Sequence, residues 1–189
     1  MTLSACKGQD TGEDQTVQPA QETAETAENQ EADSSAVLVA YFSRTQTTEA
    51  VAQEIAAQLD ADIFEIVPQE PYPEDYNETV ARFRRERDEE ARPAVSGQVE
   101  NMGDYDTIFV GYPIWGSTMP HVVRTFLEQY DFSGKKIIPF CTSGGSGLSG
   151  SVEVLKALCP DATLLEGRDL TGADAGEISA WLEGLDIPQ

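Results

Sequence analysis

A doubly wound α/β domain is the fold class predicted for residues 36–189: a five-stranded parallel sheet between two helical layers, a three-layer α/β/α arrangement. Three observations lead there. Short apolar runs alternate with segments of helical periodicity from Val37 to Leu185. The strand runs lack polar alternation, as expected when helices cover both faces of a sheet. Three of the runs end in turns rich in small and hydroxyl-bearing residues, and in an open parallel sheet such turns gather at the carboxyl edge, where ligands bind.

In chain order, the first strand is Val37–Phe42. A helix follows over about Thr47–Leu59, with Val51, Ile55 and Leu59 at four-residue spacing on one face. The second strand is about Asp62–Val67, after which Pro68, Pro71 and Pro73 break the chain. A charged helix from about Asn77 to Glu90 stops before Pro93; its Arg82, Arg84, Arg85 and Arg87, with Arg92, interleave with Glu86, Asp88, Glu89 and Glu90 and read as a solvated, salt-bridged face. The third strand is Thr107–Gly111. The next helix is expected to be capped by Ser117 or Thr118, with Pro120 in its first turn and Val122, Val123, Phe126, Leu127 and Tyr130 buried. Strand Lys136–Cys141, helix Ser149–Leu158, strand Ala162–Leu165 and helix Asp174–Leu185 complete the series. With right-handed crossovers, the strand order 2-1-3-4-5 sets the turns after strands 1, 3 and 4 side by side.

The first 35 residues differ in kind. Large apolar side chains are nearly confined to Leu3 and Val17, too few to offset the entropy of ordering the segment. Leu3-Ser4-Ala5-Cys6 resembles the lipobox of bacterial lipoproteins, which implies lipidation at Cys6, an extracytoplasmic location and attachment to the membrane only through that lipid. Lys7 to Ser35 then reads as an acidic tether reaching roughly 30 Å. The alternative is a chance LSAC opening a cytoplasmic tail.

The net charge of −22 argues against nucleic acid as a partner, which needs a basic footprint. It favours partner proteins with basic docking surfaces. Cys141 and Cys159 read as packed small side chains, and with His121 the lone histidine no spacing suggests a metal site.

The three turns carry the chemistry. The first, Ser43-Arg44-Thr45-Gln46-Thr47-Thr48, runs into a helix amino terminus, whose free N–H groups suit a phosphate. It is neither GxxxxGK[ST] nor GxGxxG, so neither a P-loop nor a dinucleotide fingerprint is indicated. The second holds Trp115 between Pro113-Ile114 and Gly116, which favours a stacking surface over a core position. In the third, Thr142-Ser143-Gly144-Gly145-Ser146-Gly147, the glycines let backbone approach a ligand closely. Together they point to a flat, phosphorylated ligand.

YFSRTQTT, GYPIWGSTMP and TSGGSG, in this order, resemble the flavodoxins across essentially all of residues 36–189. The resemblance implies FMN as cofactor. Ser43, Thr45, Gln46, Thr47 and Thr48, with Arg44 in the same turn, would hold the phosphate. Pro113, Ile114, Trp115 and Gly116 would line one side of the isoalloxazine, and Thr142, Ser143, Gly144, Gly145, Ser146 and Gly147 its other edge. Two features depart from the family. Gln46 stands where the phosphate loop usually has Gly, and the third loop lacks the Tyr that often covers the outer flavin face. The implied function is an electron carrier of low potential, its flavin held by neutral backbone without a cation. The alternatives are an FMN-dependent quinone or nitro-compound reductase and a flavin-free binding domain. A serine hydrolase built on Ser146 fails for want of GxSxG.

Overall fold

The structure is a computed structural model that describes residues 36–187. The lipobox-like Cys6 and the segment 1–35 lie outside the described residues.

Among the described residues the main strands and helices follow one another in the predicted order, with short extra strands between them. The central sheet contains β1 (Ala36–Tyr41), β2 (Asp62–Glu65), β5 (Tyr105–Pro113), β6 (Lys136–Thr142) and β7 (Thr163–Leu164), in the order β2-β1-β5-β6-β7. Every pairing in it is parallel, with Val39 opposite both Ile63 and Phe109, and Phe109 opposite Ile138. Alternate residues of β1, β5 and β6 enter opposite cores. Val37, Val39, Tyr41, Phe109, Ile138 and Phe140 pack with α1 (Thr47–Leu59) and α5 (Ala175–Glu183). Leu38, Ala40, Val110, Tyr112 and Ile137 pack with α3 (His121–Glu128) and α4 (Ser151–Leu158) on the other side. The expected three-layer architecture and strand order are found. Burial on both faces explains why the strands are apolar without alternation.

Four local expectations are corrected. The edge strand is not one run over Ala162–Leu165 but two pieces, β7 and β8 (Arg168–Asp169), each paired with β6. The break falls beside Pro139, which has no N–H to give a neighbour. There Gly167 crosses so closely that a Cβ would sit 2.3 Å from the Pro139 carbonyl oxygen.

Helix α3 begins at His121, not at Ser117 or Thr118, with Pro120 in the capping position. Gly116 (φ 53°) and Ser117 (φ 67°) instead form a two-residue turn closed by Trp115 N–H to Thr118 O (2.9 Å) and Thr118 N–H to Trp115 O (3.1 Å). That pair of left-handed residues is a type I′ turn. Helix α4 starts at Ser151, because Ser149 is held at φ 45°.

Residues 67–96 add an antiparallel pair, β3 (Val67–Pro68) with β4 (Val95–Ser96), flanking α2 (Tyr76–Asp88). Helix α2 is not a wholly solvated, salt-bridged face. Arg82 and Glu86 are both buried and paired at 2.7 Å, Arg82 also donates to Pro71 O (2.8 Å), and its guanidinium lies 4.1 Å from the centre of the Tyr72 ring. Tyr72 completes the set by donating to Glu86 Oε2 at 2.7 Å. One i,i+4 pair thereby fixes the helix to the chain leading into it.

Candidate functional site

Loop 1, between β1 and α1, turns on Gln46. Its backbone is left-handed (φ 63°, ψ −1°), the conformation a Gly would adopt freely, so the glycine-like turn survives the substitution. No side chain caps α1. The first N–H groups of a helix have no intrahelical acceptor, and here they lie among the exposed Thr45 and Thr47 hydroxyls, with Ser43 half-buried beside them.

Thr48, also in the first turn of α1, points inward. Its hydroxyl meets that of Thr142 at 2.8 Å in a buried bond joining loop 1 to loop 3. Thr142 O also accepts from Ile114 N–H (2.9 Å), and Ser117 O accepts from Gly150 N–H (3.1 Å). All three turns are thus tied together at one sheet edge, as expected from the strand order.

Loop 3 is organised by a residue that the sequence reading missed. Ser143 donates to Asp169 Oδ2 (2.6 Å) and accepts from Gly145 N–H (3.0 Å) and Gly147 N–H (3.1 Å). Asp169 also accepts from the Thr171 N–H (3.0 Å) and hydroxyl (2.5 Å). Partial burial raises the Asp169 pKa, but the bonds from Ser143, Thr171 and Gly147 outweigh it and hold the carboxyl below its ordinary range. A Cβ placed on Gly144, Gly145 or Gly147 would meet nothing, so this loop faces open space; Ser146 is exposed. Asp169 could not be linked to the loop by local spacing, since it arrives on the split edge strand.

Loop 2 forms one wall of a cleft of about 430 Å³. Pro113, Ile114, Trp115 and Gly116 line it with Arg44, Thr45 and Thr48 from loop 1. Ser43, Gln46, Thr47 and loop 3 border the same sheet edge without lining this cleft. Trp115 is half-buried. Its edges pack on Phe42 (5.5 Å), Tyr72 (5.0 Å) and Phe83 (5.8 Å between centroids), which leaves it both a packed residue and a cleft wall.

The opposite wall is α2, through Tyr76, Thr79, Val80, Phe83, Arg84 and Arg87. With Arg44, three arginines border the cleft. Arg44 is committed to the main chain, donating to Pro73 O (2.9 Å) and to Glu74 O. The signal for α2 was present as apolar and cationic residues at helical spacing, but a helix this charged reads as solvated.

Cys141 lies buried beneath loop 3, and burial first, then Asp169, pushes its thiol up to about 12, so it is an inert packing group. His121 is fully buried, with Nδ1 2.9 Å from Ala91 O. Among the described residues there is no metal-binding cluster and no helix long and apolar enough to cross a membrane.

An open parallel sheet with an uncapped helix terminus, an aromatic turn and a glycine turn gathered at its carboxyl edge defines a doubly wound α/β domain. The flavodoxin family model matches residues 36–185, and the chain belongs to that family. It is similar to a candidate flavoprotein from Bacteroides eggerthii DSM 20697, with 39% identity over 81% of this chain and 99% of that one, at a TM-score of 0.75. A second, from Bacteroides uniformis ATCC 8492, shares 36% identity over 78% of this chain and 97% of its own, with a TM-score of 0.73. A flavoprotein from Lactobacillus acidophilus NCFM, solved in complex with FMN, shares the fold at 18% identity and a TM-score of 0.65, covering 78% of this chain and 99% of that one. No curated protein matches the chain.

Proposed function

We propose that this chain is an FMN-binding electron-transfer protein, tethered to the outer face of a bacterial membrane by a lipid on Cys6, and serving partner proteins with basic docking surfaces. The observation that carries the reading is the uncapped start of α1 under Gln46, bonded through Thr48 and Thr142 to the two turns beside it. The donor set suits FMN. Helix N–H groups and the hydroxyls of Ser43, Thr45 and Thr47 match a phosphate, and the neighbouring turn offers Trp115 and Ile114 as apolar surface for a flat ring.

FMN, when bound, supplies one- and two-electron transfer. The chain's own residues position it and shape its surroundings. Loop 1 binds the phosphate. Trp115 and Ile114 exclude water from one side, and Gly144, Gly145 and Gly147 leave room for close approach of the main chain. Gly116 is needed for its φ of 53° and because a Cβ there would lie 2.8 Å from Phe83 Cε1. The net charge of −22 disfavours further negative charge on a buried ring, while Arg84 and Arg87 oppose that field at the cleft.

The test is the visible spectrum of the purified chain. A flavin band, present on isolation or restored by added FMN, supports the reading; a colourless protein that leaves the FMN spectrum unchanged overturns it. A reductase is the second reading, favoured by the room between Trp115 and α2. Appreciable NADH or NADPH oxidation with a quinone acceptor would establish it. Metabolic labelling that leaves Cys6 without lipid would remove the tether.

A further inference from the structure

We propose that the α2 wall of the cleft is a binding subsite for a planar aromatic anion, an electron partner bearing a carboxylate or sulfonate. This rests on reading the chain as a flavin-dependent redox protein, and it adds the chemical class of one partner.

Four observations carry it. First, Tyr76, Val80, Phe83, Arg84 and Arg87 recur along one face of α2, and that face borders the cleft. An exposed helix face in so acidic a chain would be expected to carry carboxylates; this one carries aromatic and cationic groups. Second, Arg84 makes no ion pair or hydrogen bond among the described residues. Among those residues Arg87 pairs only with its exposed neighbour Asp88, at 2.7 Å, and an exposed pair of that kind is weak enough to exchange for a ligand. A cationic head without a partner at the rim of a cleft is suited to an anionic group.

Third, Tyr76 is 71% exposed at the cleft although it is large and apolar. Trp115 and Ile114 line the same cleft, which gives it apolar and aromatic surface from two elements. Fourth, the wall is preformed. The buried Arg82–Glu86 pair, bonded to Pro71 O and Tyr72, holds α2 in place, so the helix backbone need not be ordered on binding. Loop 2 belongs to both the cleft and the candidate flavin site, which places such a partner against residues that contact the cofactor.

The probe is anthraquinone-2-sulfonate, with the uncharged 2-(hydroxymethyl)anthraquinone as its control. Binding to the full chain is read by equilibrium dialysis, with and without FMN, and FMN affinity is titrated separately for every variant. The expected result is tighter binding of the sulfonate than of the control. Arg84→Gln with Arg87→Gln should weaken the sulfonate about tenfold, leaving the control and FMN unchanged, and Arg84→Lys should recover part of the loss. Equal affinity for both probes overturns the proposal, as does a sulfonate affinity indifferent to the arginines. So does a parallel loss of FMN and sulfonate, which would assign the arginines to the flavin. A wild-type chain that takes up the sulfonate but never FMN would keep the subsite and overturn the proposed function instead.

Discussion

Thr48 and Thr142 lie 94 positions apart in sequence, yet their hydroxyls share a buried bond of 2.8 Å at the junction of loop 1 and loop 3. Each protects the other from being buried without a partner. Thr48→Val or Thr142→Val alone should cost about 1–3 kcal/mol, and the double substitution should cost less than the two single losses combined, because no orphaned hydroxyl remains. Urea unfolding of the three variants measures this. Additive losses would show that the bond does not couple the loops.

Gln46 holds a left-handed backbone without the freedom of Gly. Gln46→Gly should therefore stabilise the fold by about 0.5–1 kcal/mol, and Gln46→Val should destabilise it by at least as much. Thermal unfolding will give the sign. FMN titration of Gln46→Gly should show affinity equal to or above that of the parent, since the turn keeps its shape.

Arg82 and Glu86 form a pair that water barely reaches. Arg82→Met strands a carboxylate among Tyr72 and Phe83 and should cost about 3–5 kcal/mol. Adding Glu86→Leu should recover most of that loss. If the single variant is as stable as the parent, the pair is not what anchors α2.

Asp169 has a pKa held below its ordinary range in the folded chain. Its contribution is present above the unfolded carboxyl value and is lost as pH falls through the lowered folded value. Stability of the parent should decline with acidification below about pH 4 more steeply than that of Asp169→Asn. Denaturant midpoints across pH 2–6 on both chains test this, and parallel curves would refute it.

The same sign applies to His121, in a higher pH range. Burial first, and then the neighbouring guanidinium of Arg124, lower its pKa, against the bond to Ala91 O. The unfolded chain takes up a proton on this ring before the folded chain does. Stability should fall as pH drops below the ordinary value of 6.5, and His121→Gln should flatten that part of the profile.

What could be read from the sequence was what is written locally. The Val37–Phe42 and Lys136–Cys141 runs, the helical spacing of Val51 and Ile55, and the three turns each signal their state within a few residues. Right-handed crossovers then sufficed to bring the turns to one edge. The features that were missed depend on distant partners. Ser117 reads as a cap until its left-handed backbone is seen closing a turn. Arg82 reads as solvated until Tyr72 and Pro71 O arrive to cover it. Asp169 acquires meaning only where the edge strand meets Ser143.

Pro139 splits the outermost strand into pieces of two residues, β7 and β8. A neighbouring molecule seeking to extend the sheet would find there no continuous row of donors and acceptors, only short stubs separated by a glycine crossing. Fibrillar association by strand addition is thereby blocked at that margin. A substitution that restored an unbroken border would be expected to trade solubility for a longer ladder.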